Sequence, residues 1–180
     1  EPELRDDDVL VRVHAAGVNP LDAKIRDGEF KLILPYRLPL ILGNDLAGVV
    51  VRVGPNVRRF KSGDEVYARP DKDRIGTFAE YIAVWAPALV RLPDAITDRE
   101  APLACGGLTA YGAVKKLIDH HVMPGRRVAV IGAAGGLGHY AVQIATAFGY
   151  EVIGIDVGAD RLDFVKSLGA AAALEADDAL

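Results

Sequence analysis

Apolar positions change their period along the chain, and the change divides it in two. From Val9 apolar and polar residues alternate, the period of a half-buried strand, and the run Val9–Val18 ends at Asn19-Pro20. Leu21–Arg26 predicts a turn of helix with Asp22 in its first turn. Gly28–Pro39, punctuated by Gly28, Pro35 and Pro39, predicts a loop. Leu46–Val53 reads as a β-branched strand closed by Gly54-Pro55-Asn56. Glu65–Ala68, Phe78–Val84 and Leu89–Leu92 follow as short strands set off by turns. Strands so short and so spaced predict a small barrel-like β module. Past Pro93 the period lengthens. Thr97, with Glu100 three residues on, has the form of a capping box that continues to Ala104, and Leu108–Leu117 predicts a helix with an alanine-rich face. The boundary falls within Leu92–Asp98, giving a β module over residues 1–94 and an α/β module over residues 95–180.

The second module contains the stretch that carries the most chemistry. Val128–Ile131 predicts a buried parallel strand. Gly132-Ala133-Ala134-Gly135-Gly136-Leu137-Gly138 is a turn almost without side chains, and Tyr140–Phe148 repeats apolar residues at helical spacing. Gly149 ends that helix, Val152–Ile155 predicts a second strand closing on Asp156, and Ala171–Leu174 a third. Strand, glycine turn, helix, strand and acid form the recipe for a dinucleotide site. The glycines let the backbone approach a pyrophosphate, and the helix N-terminus faces it with unpaired N–H groups. Asp156 stands 18 residues beyond Gly138, where a carboxylate accepts hydrogen bonds from the adenosine ribose. A carboxylate there favours a bare 2′-hydroxyl over a 2′-phosphate, so NAD is expected before NADP.

Composition narrows the class. Half the residues are apolar (51%), enough for a packed core, and the net charge of −4 gives no electrostatic footprint for nucleic acid or an anionic membrane. No apolar run approaches the ~18 residues of a membrane span, and no basic-then-apolar leader opens the chain, so a cytoplasmic protein acting on a small molecule is expected. The one cysteine, Cys105, excludes an internal disulfide. His14, His120 and His121 show no ligand spacing with a third group, and His139 reads as a helix-start residue. Two or three strands after the glycine turn are fewer than the six of a free-standing dinucleotide sheet. The sequence therefore reads as a piece of a longer protein, cut at both ends and expected to be inactive alone.

Several motifs together resemble one family. Gly17-Val18-Asn19-Pro20-Leu21-Asp22, Leu42-Gly43-Asn44-Asp45-Leu46-Ala47-Gly48, the spaced set Val53-Gly54, Val57, Phe60, Gly63-Asp64 and Val66, and Gly106-Gly107-Leu108-Thr109-Ala110-Tyr111 are similar to the medium-chain dehydrogenase/reductase superfamily, in its own order. The resemblance implies a GroES-like β-barrel domain followed by a Rossmann domain, here a truncated doubly wound parallel sheet, and a full-length homo-oligomer. It implies that Thr109 touches the nicotinamide side of the cofactor and that Arg161 lies near the adenosine. On the residues alone, Arg161 equally pairs with Asp160 or Asp163 on an exposed helix.

The same resemblance raises the question of zinc. The family's zinc alcohol dehydrogenases carry a cysteine where Asn19 stands and a His-Glu pair where Asn44-Asp45 stands. A neutral amide oxygen is a poor zinc ligand, and Asp45 with Cys105 is one ligand short of the three a catalytic zinc requires. The family's structural zinc lobe should fall at Ala68–Thr77, which has no cysteine. No metal is expected, with Cys105 a small buried residue. Asn19 is then the candidate to face the substrate, with Asp22 as its orienter. The expected reaction is hydride transfer between a nicotinamide and a quinone, enone or activated carbonyl. The alternatives are an alcohol dehydrogenase with a degenerate zinc site and a cofactor-binding module without catalysis.

Overall fold

A computed structural model describes residues 2–32, 36–72, 74–98 and 103–178. It divides into two compact units, Glu1–Cys105 and Gly106–Leu180.

The first unit is a five-stranded sheet of order β4-β1-β2-β3-β5, antiparallel throughout. Its strands are β1 (Asp8–Ala15), β2 (Leu46–Val53), β3 (Glu65–Ala68), β4 (Tyr81–Trp85) and β5 (Leu89–Arg91), with helix α1 (Pro20–Arg26) between β1 and β2. The β-branched runs make these strands because branched side chains pack well on a pleated, buried face. Val9, Val11, Leu46, Val50, Val66, Val84 and Leu89 form the centre of the core, each essentially inaccessible. At Gly48 the two central strands approach so closely that an added Cβ would stand 2.1 Å from the Arg12 carbonyl oxygen. Only glycine allows that pairing.

Asp8 opens β1 with its side chain 1% exposed. A buried carboxylate requires a partner, and it has one: Arg74 donates to both oxygens, Nη1 to Oδ1 at 2.8 Å and Nη2 to Oδ2 at 2.6 Å. This fork ties Arg74 to the edge of the sheet, within the stretch where the family's zinc lobe is expected. The Arg74 hydrogen bonds hold the Asp8 carboxyl below its ordinary range, against the opposing effect of burial.

The second unit is built on helix α2 (Ala104–Asp119), whose first two residues belong to the first unit. It continues with β6 (Arg127–Ile131), α3 (Gly138–Ala147), β7 (Glu151–Asp156), α4 (Ala159–Ser167) and β8 (Ala172–Glu175). The three strands are parallel in the order β6-β7-β8, and Val114, Ala133, Val142, Ala145, Tyr150, Val152 and Val165 make its core. Tyr150 is buried by its ring and satisfied at its hydroxyl, which donates to the Val122 carbonyl at 2.7 Å.

Some expectations from the sequence are corrected. β6 is not a buried strand: among the described residues it pairs only with β7, its Arg127, Ala129 and Ile131 are exposed, and Ile131 is 82% accessible. Thr97 and Asp98 are not helical, while Glu100 and residues 101–102 lie outside the described residues. β1 stops at Ala15 rather than Val18, and α2 starts four residues before Leu108.

Arg74→Ala should lower the stability of the first unit by roughly 3 kcal/mol, because it leaves a buried carboxylate without its cation. Urea unfolding should show a lower midpoint with an unchanged slope. Since the folded-state pKa of Asp8 is depressed, its stabilising contribution is complete above the unfolded value of about 3.9 and is lost as pH falls through the folded value. Asp8→Asn should remove that part of the acid transition.

Candidate functional site

Asp22, Asn44 and Asp45 are buried in the first unit, at 3%, 4% and 0% exposure. Local structure explains Asp22: Asn19 is the N-cap of α1 and Pro20 its first residue, which brings Asp22 back onto the helix start. Asp22 Oδ2 accepts the Asn19 backbone N–H at 2.7 Å, and its Oδ1 accepts the Gly43 N–H at 3.1 Å and the Asn44 amide at 2.6 Å. Asp45, immediately before β2, does the same from the other side. Its Oδ1 accepts the Gly17 N–H at 2.7 Å, and its Oδ2 accepts the Asn19 side-chain amide at 3.2 Å and the Cys105 N–H at 3.3 Å. Each carboxylate thus meets three N–H donors, and the two together join α1, the 43–45 segment and the start of α2.

The network fixes how Asn19 is presented. Its Nδ2 donates to Asp45 Oδ2 and to the Gly17 carbonyl at 3.3 Å. Both partners are acceptors, so the amide orientation is unambiguous and both of its hydrogens are committed. Burial pushes the Asp45 carboxyl up, with the Gly17, Asn19 and Cys105 donors pulling it back. Burial likewise pushes the Cys105 thiol up, and the Arg69 guanidinium, hydrogen-bonded to the Cys105 side chain, works against it. Asp45 as orienter of Asn19, and Arg69 beside Cys105, are features the sequence reading missed. Their partners lie 26 and 36 residues away in sequence, with no local motif between.

In the second unit the glycine turn is stapled to the end of β7. The Gly132 and Ala133 N–H groups donate to the Ile155 carbonyl at 2.8 and 3.1 Å, and Gly135 N–H closes the turn on Gly132 at 2.9 Å. Asp156 Oδ2 accepts the Ala134 N–H at 2.7 Å; Oδ1 accepts the Val157 N–H at 2.8 Å and Arg161 Nη1 at 3.0 Å. The two backbone donors, ahead of Arg161, hold the Asp156 carboxyl below its ordinary range. The glycines divide by role. A Cβ on Gly138 would stand 2.0 Å from the Gly132 carbonyl oxygen, so this glycine lets α3 start against the turn. Cβ atoms on Gly132 or Gly136 would meet nothing within 4 Å, so these two keep the outer face of the turn open. Leu137 is half exposed beside them and Ala133 is buried beneath. His139 hydrogen-bonds through Nδ1 to the Gly135 carbonyl at 2.9 Å, which places the ring proton on that nitrogen.

Two expectations change here. Arg161 pairs with Asp156 rather than with Asp160 or Asp163. Thr109 is not at a helix start: with α2 beginning at Ala104, it occupies the second turn, on an exposed position. Among the described residues no three His, Cys, Asp or Glu side chains cluster as a metal site would require.

Comparison with known proteins agrees with this architecture. The model of the alcohol dehydrogenase GroES-like domain matches residues 5–94, and that of the zinc-binding dehydrogenase domain matches residues 136–179. A chloroplastic quinone-oxidoreductase homolog of Spinacia oleracea is 37% identical over 173 residues, 94% of this chain and 52% of the relative. An alcohol dehydrogenase superfamily protein from Novosphingobium aromaticivorans superimposes with a TM-score of 0.87 at 41% identity, covering 98% of this chain and 53% of that one. The Escherichia coli quinone oxidoreductase complexed with NADPH superimposes with a TM-score of 0.83 at 30% identity, covering 97% and 52%. The sheet-and-turn architecture is that of a GroES-like domain joined to part of a Rossmann domain. The chain belongs to the medium-chain dehydrogenase/reductase superfamily, and it spans about half the length of the relatives it matches.

Gly138→Ala should destabilise the second unit by at least about 2 kcal/mol, since the new methyl meets backbone that cannot move aside. A thermal melt should show the loss, and an unchanged melt would mean that the turn is not as tightly closed as described.

Proposed function

We propose that the protein is an NAD(P)H-dependent oxidoreductase that works without zinc, passing hydride to a quinone, an enone or another activated carbonyl. The observation that carries the reading is the pair of buried carboxylates, Asp22 and Asp45, each already satisfied by three N–H donors. A zinc centre at this place needs three protein ligands with free lone pairs. Asn19 and Asn44 offer only neutral amide oxygens, poor zinc ligands beside thiolate or imidazole, so the donor set does not fit the metal. The names of the relatives, quinone oxidoreductases and alcohol dehydrogenases, leave both chemistries open, and the donor set favours the first.

The residues around the glycine turn fit a dinucleotide. Gly132 and Gly136 leave the outer face bare, Gly135 and Gly138 hold the turn, and Ala133, Ala134 and Leu137 complete a wall with few side chains. The N-terminus of α3 supplies the positive end for a pyrophosphate. Asp156 and Arg161 flank the ribose position as an ion pair, and the ionised carboxylate favours NAD over NADP. A bound reduced nicotinamide supplies hydride. Asn19 and Asp22 shape the substrate cleft, Asn19 by its fixed amide and Asp22 by holding Asn19 and Asn44 in place. Thr109 is proposed to touch the nicotinamide side. An electron-poor acceptor suits such a site, because its reduction needs an oriented partner and hydrogen-bond donors rather than a Lewis acid.

Fluorescence titration of the chain should give a lower dissociation constant for NADH than for NADPH. Gly136→Ala should raise that constant roughly tenfold while leaving the melting temperature unchanged, because the methyl fills the bare face. Equal binding by the variant would remove the turn from the cofactor site. The whole protein should reduce enones or quinones in a panel of acceptors, and turnover should survive 1,10-phenanthroline. Loss of turnover with the chelator, restored by zinc, would establish the alcohol dehydrogenase alternative instead.

A further inference from the structure

The end of the first sheet that lies away from the carboxylate network holds a cavity of about 480 Å³. β1 runs between the two places: at Asp8 it pairs with Trp85 of β4, and at Ala15 with Ala47 of β2. Its eight residues, at roughly 3.3 Å each, set the cavity about 23 Å from the network. Three stretches of chain are bonded together to form it. Asn56 N–H donates to the Asp6 carbonyl and Ala86 N–H to the Asp7 carbonyl, both at 3.0 Å, and Gly54 N–H donates to the Asp8 carbonyl at 2.8 Å. Backbone therefore fixes the frame. Val57 and Ala86, both buried, make the floor, and Trp85 and Pro87 make a wall. Trp85 is the only tryptophan in the sequence, and it is 44% exposed. The rim is polar, with Arg58 and Arg59 on it beside Asn56 and Asp7. Arg58 Nη1 donates to the Pro55 and Val57 carbonyls, which anchors the guanidinium and leaves its Nε and Nη2 without an acceptor among the described residues. The Arg59 guanidinium lies 5.3 Å from the centroid of the Phe60 ring, and no carboxylate among the described residues pairs with it.

We propose that this cavity is a second ligand site, separate from the dinucleotide turn, and that it takes a small aromatic carboxylate. An apolar wall with a few polar groups at one edge is the make-up of a small-molecule site, and the volume suits a single ring with a short side chain. The ring packs on the indole of Trp85 and on Pro87, where it gains area that water otherwise covers. The carboxylate meets the two guanidiniums, whose planar forks match its two oxygens. Arg58 is held before the ligand arrives, so little side-chain freedom is lost on binding. Asp7 limits the charge the site accepts. Two guanidiniums against one carboxylate leave the rim net positive by one, so a monoanion is preferred to a dianion. The site stands whether or not the reductase reading does, because none of its residues belongs to the network around Asn19 or to the glycine turn.

The test uses 3-phenylpropanoate as probe, with 3-phenylpropanamide and hexanoate as controls, and reads the emission of Trp85, the one indole of the chain. The wild type should respond saturably to 3-phenylpropanoate, with a dissociation constant on the order of 1 mM, the range open to so small a ligand. The amide, which lacks the charge, and hexanoate, which lacks the ring, should each bind at least about fivefold more weakly. Arg59→Gln should weaken the probe about tenfold at an unchanged melting temperature, and Arg58→Gln by a similar factor. The comparison of carboxylate with amide needs no variant, so it stands even where Arg58→Gln loosens the turn that Arg58 holds. Absence of a saturable response in the wild type overturns the assignment. So does equal binding of the amide, or equal binding by Arg59→Gln. Saturating NADH should leave the titration unchanged; displacement of the probe by NADH would put it at the glycine turn and overturn the second site.

Discussion

A carboxylate removed from water must find hydrogen-bond donors or a cation, or it will not stay ionised. Among the described residues four buried aspartates meet that condition, and each does so by tying together segments that are distant in sequence. Asp8 binds Arg74, 66 residues on, and Asp22 joins α1 to Gly43 and Asn44. Asp45 connects Gly17, Asn19 and Cys105, and Asp156 connects the glycine turn to the start of α4. The apolar cores make the two units stable, but these four side chains decide where the loops between strands come to rest. Remove one of the carboxylates and the backbone donors around it lose their acceptors together, at a cost of about 1–3 kcal/mol for each buried donor left unmet.

How much of this was legible in the residues depends on the range of the interaction. β2 and β3 have the boundaries expected, because Leu46–Val53 and Glu65–Ala68 are apolar runs bounded by Gly54-Pro55 and Gly63-Asp64, and such signals are local. The β–turn–α–β unit around Gly132–Gly138 was equally plain, since its parts follow one another within 31 residues. The start of α2 was not, because Ala104 to Gly107 are small residues with no periodic signal. The exposure of β6 also escaped the reading: a run of Val-Ala-Val-Ile reads as buried whether or not a neighbouring strand covers it. In the candidate site, Asn19 and Asp22 were accessible through their helix-start motif. Asp45 as the holder of Asn19, Arg69 beside Cys105 and Arg74 on Asp8 were not, for their partners stand 26, 36 and 66 residues apart in the chain. Arg161 shows the same limit at short range. The sequence offered Asp160 and Asp163 as neighbours on the helix, yet the turn between β7 and α4 delivers Asp156 instead.

The orientation of the buried amides bears on the direction of the chemistry. Oxidising an unactivated alcohol requires a group that removes the hydroxyl proton, by Lewis acidity or as a base. Asp45 is the acid whose pKa burial has raised, but it is inaccessible and both of its oxygens are occupied by donors. Asp22 is held in the same way. Neither is placed to accept a proton from substrate without dismantling the frame that fixes Asn19. Reduction of a conjugated carbonyl makes the opposite demand, for positive charge near an oxygen that gains electrons. The same two carboxylates, each filled by three N–H donors, are thereby held out of proton transfer, and what they fix instead is the frame around Asn19.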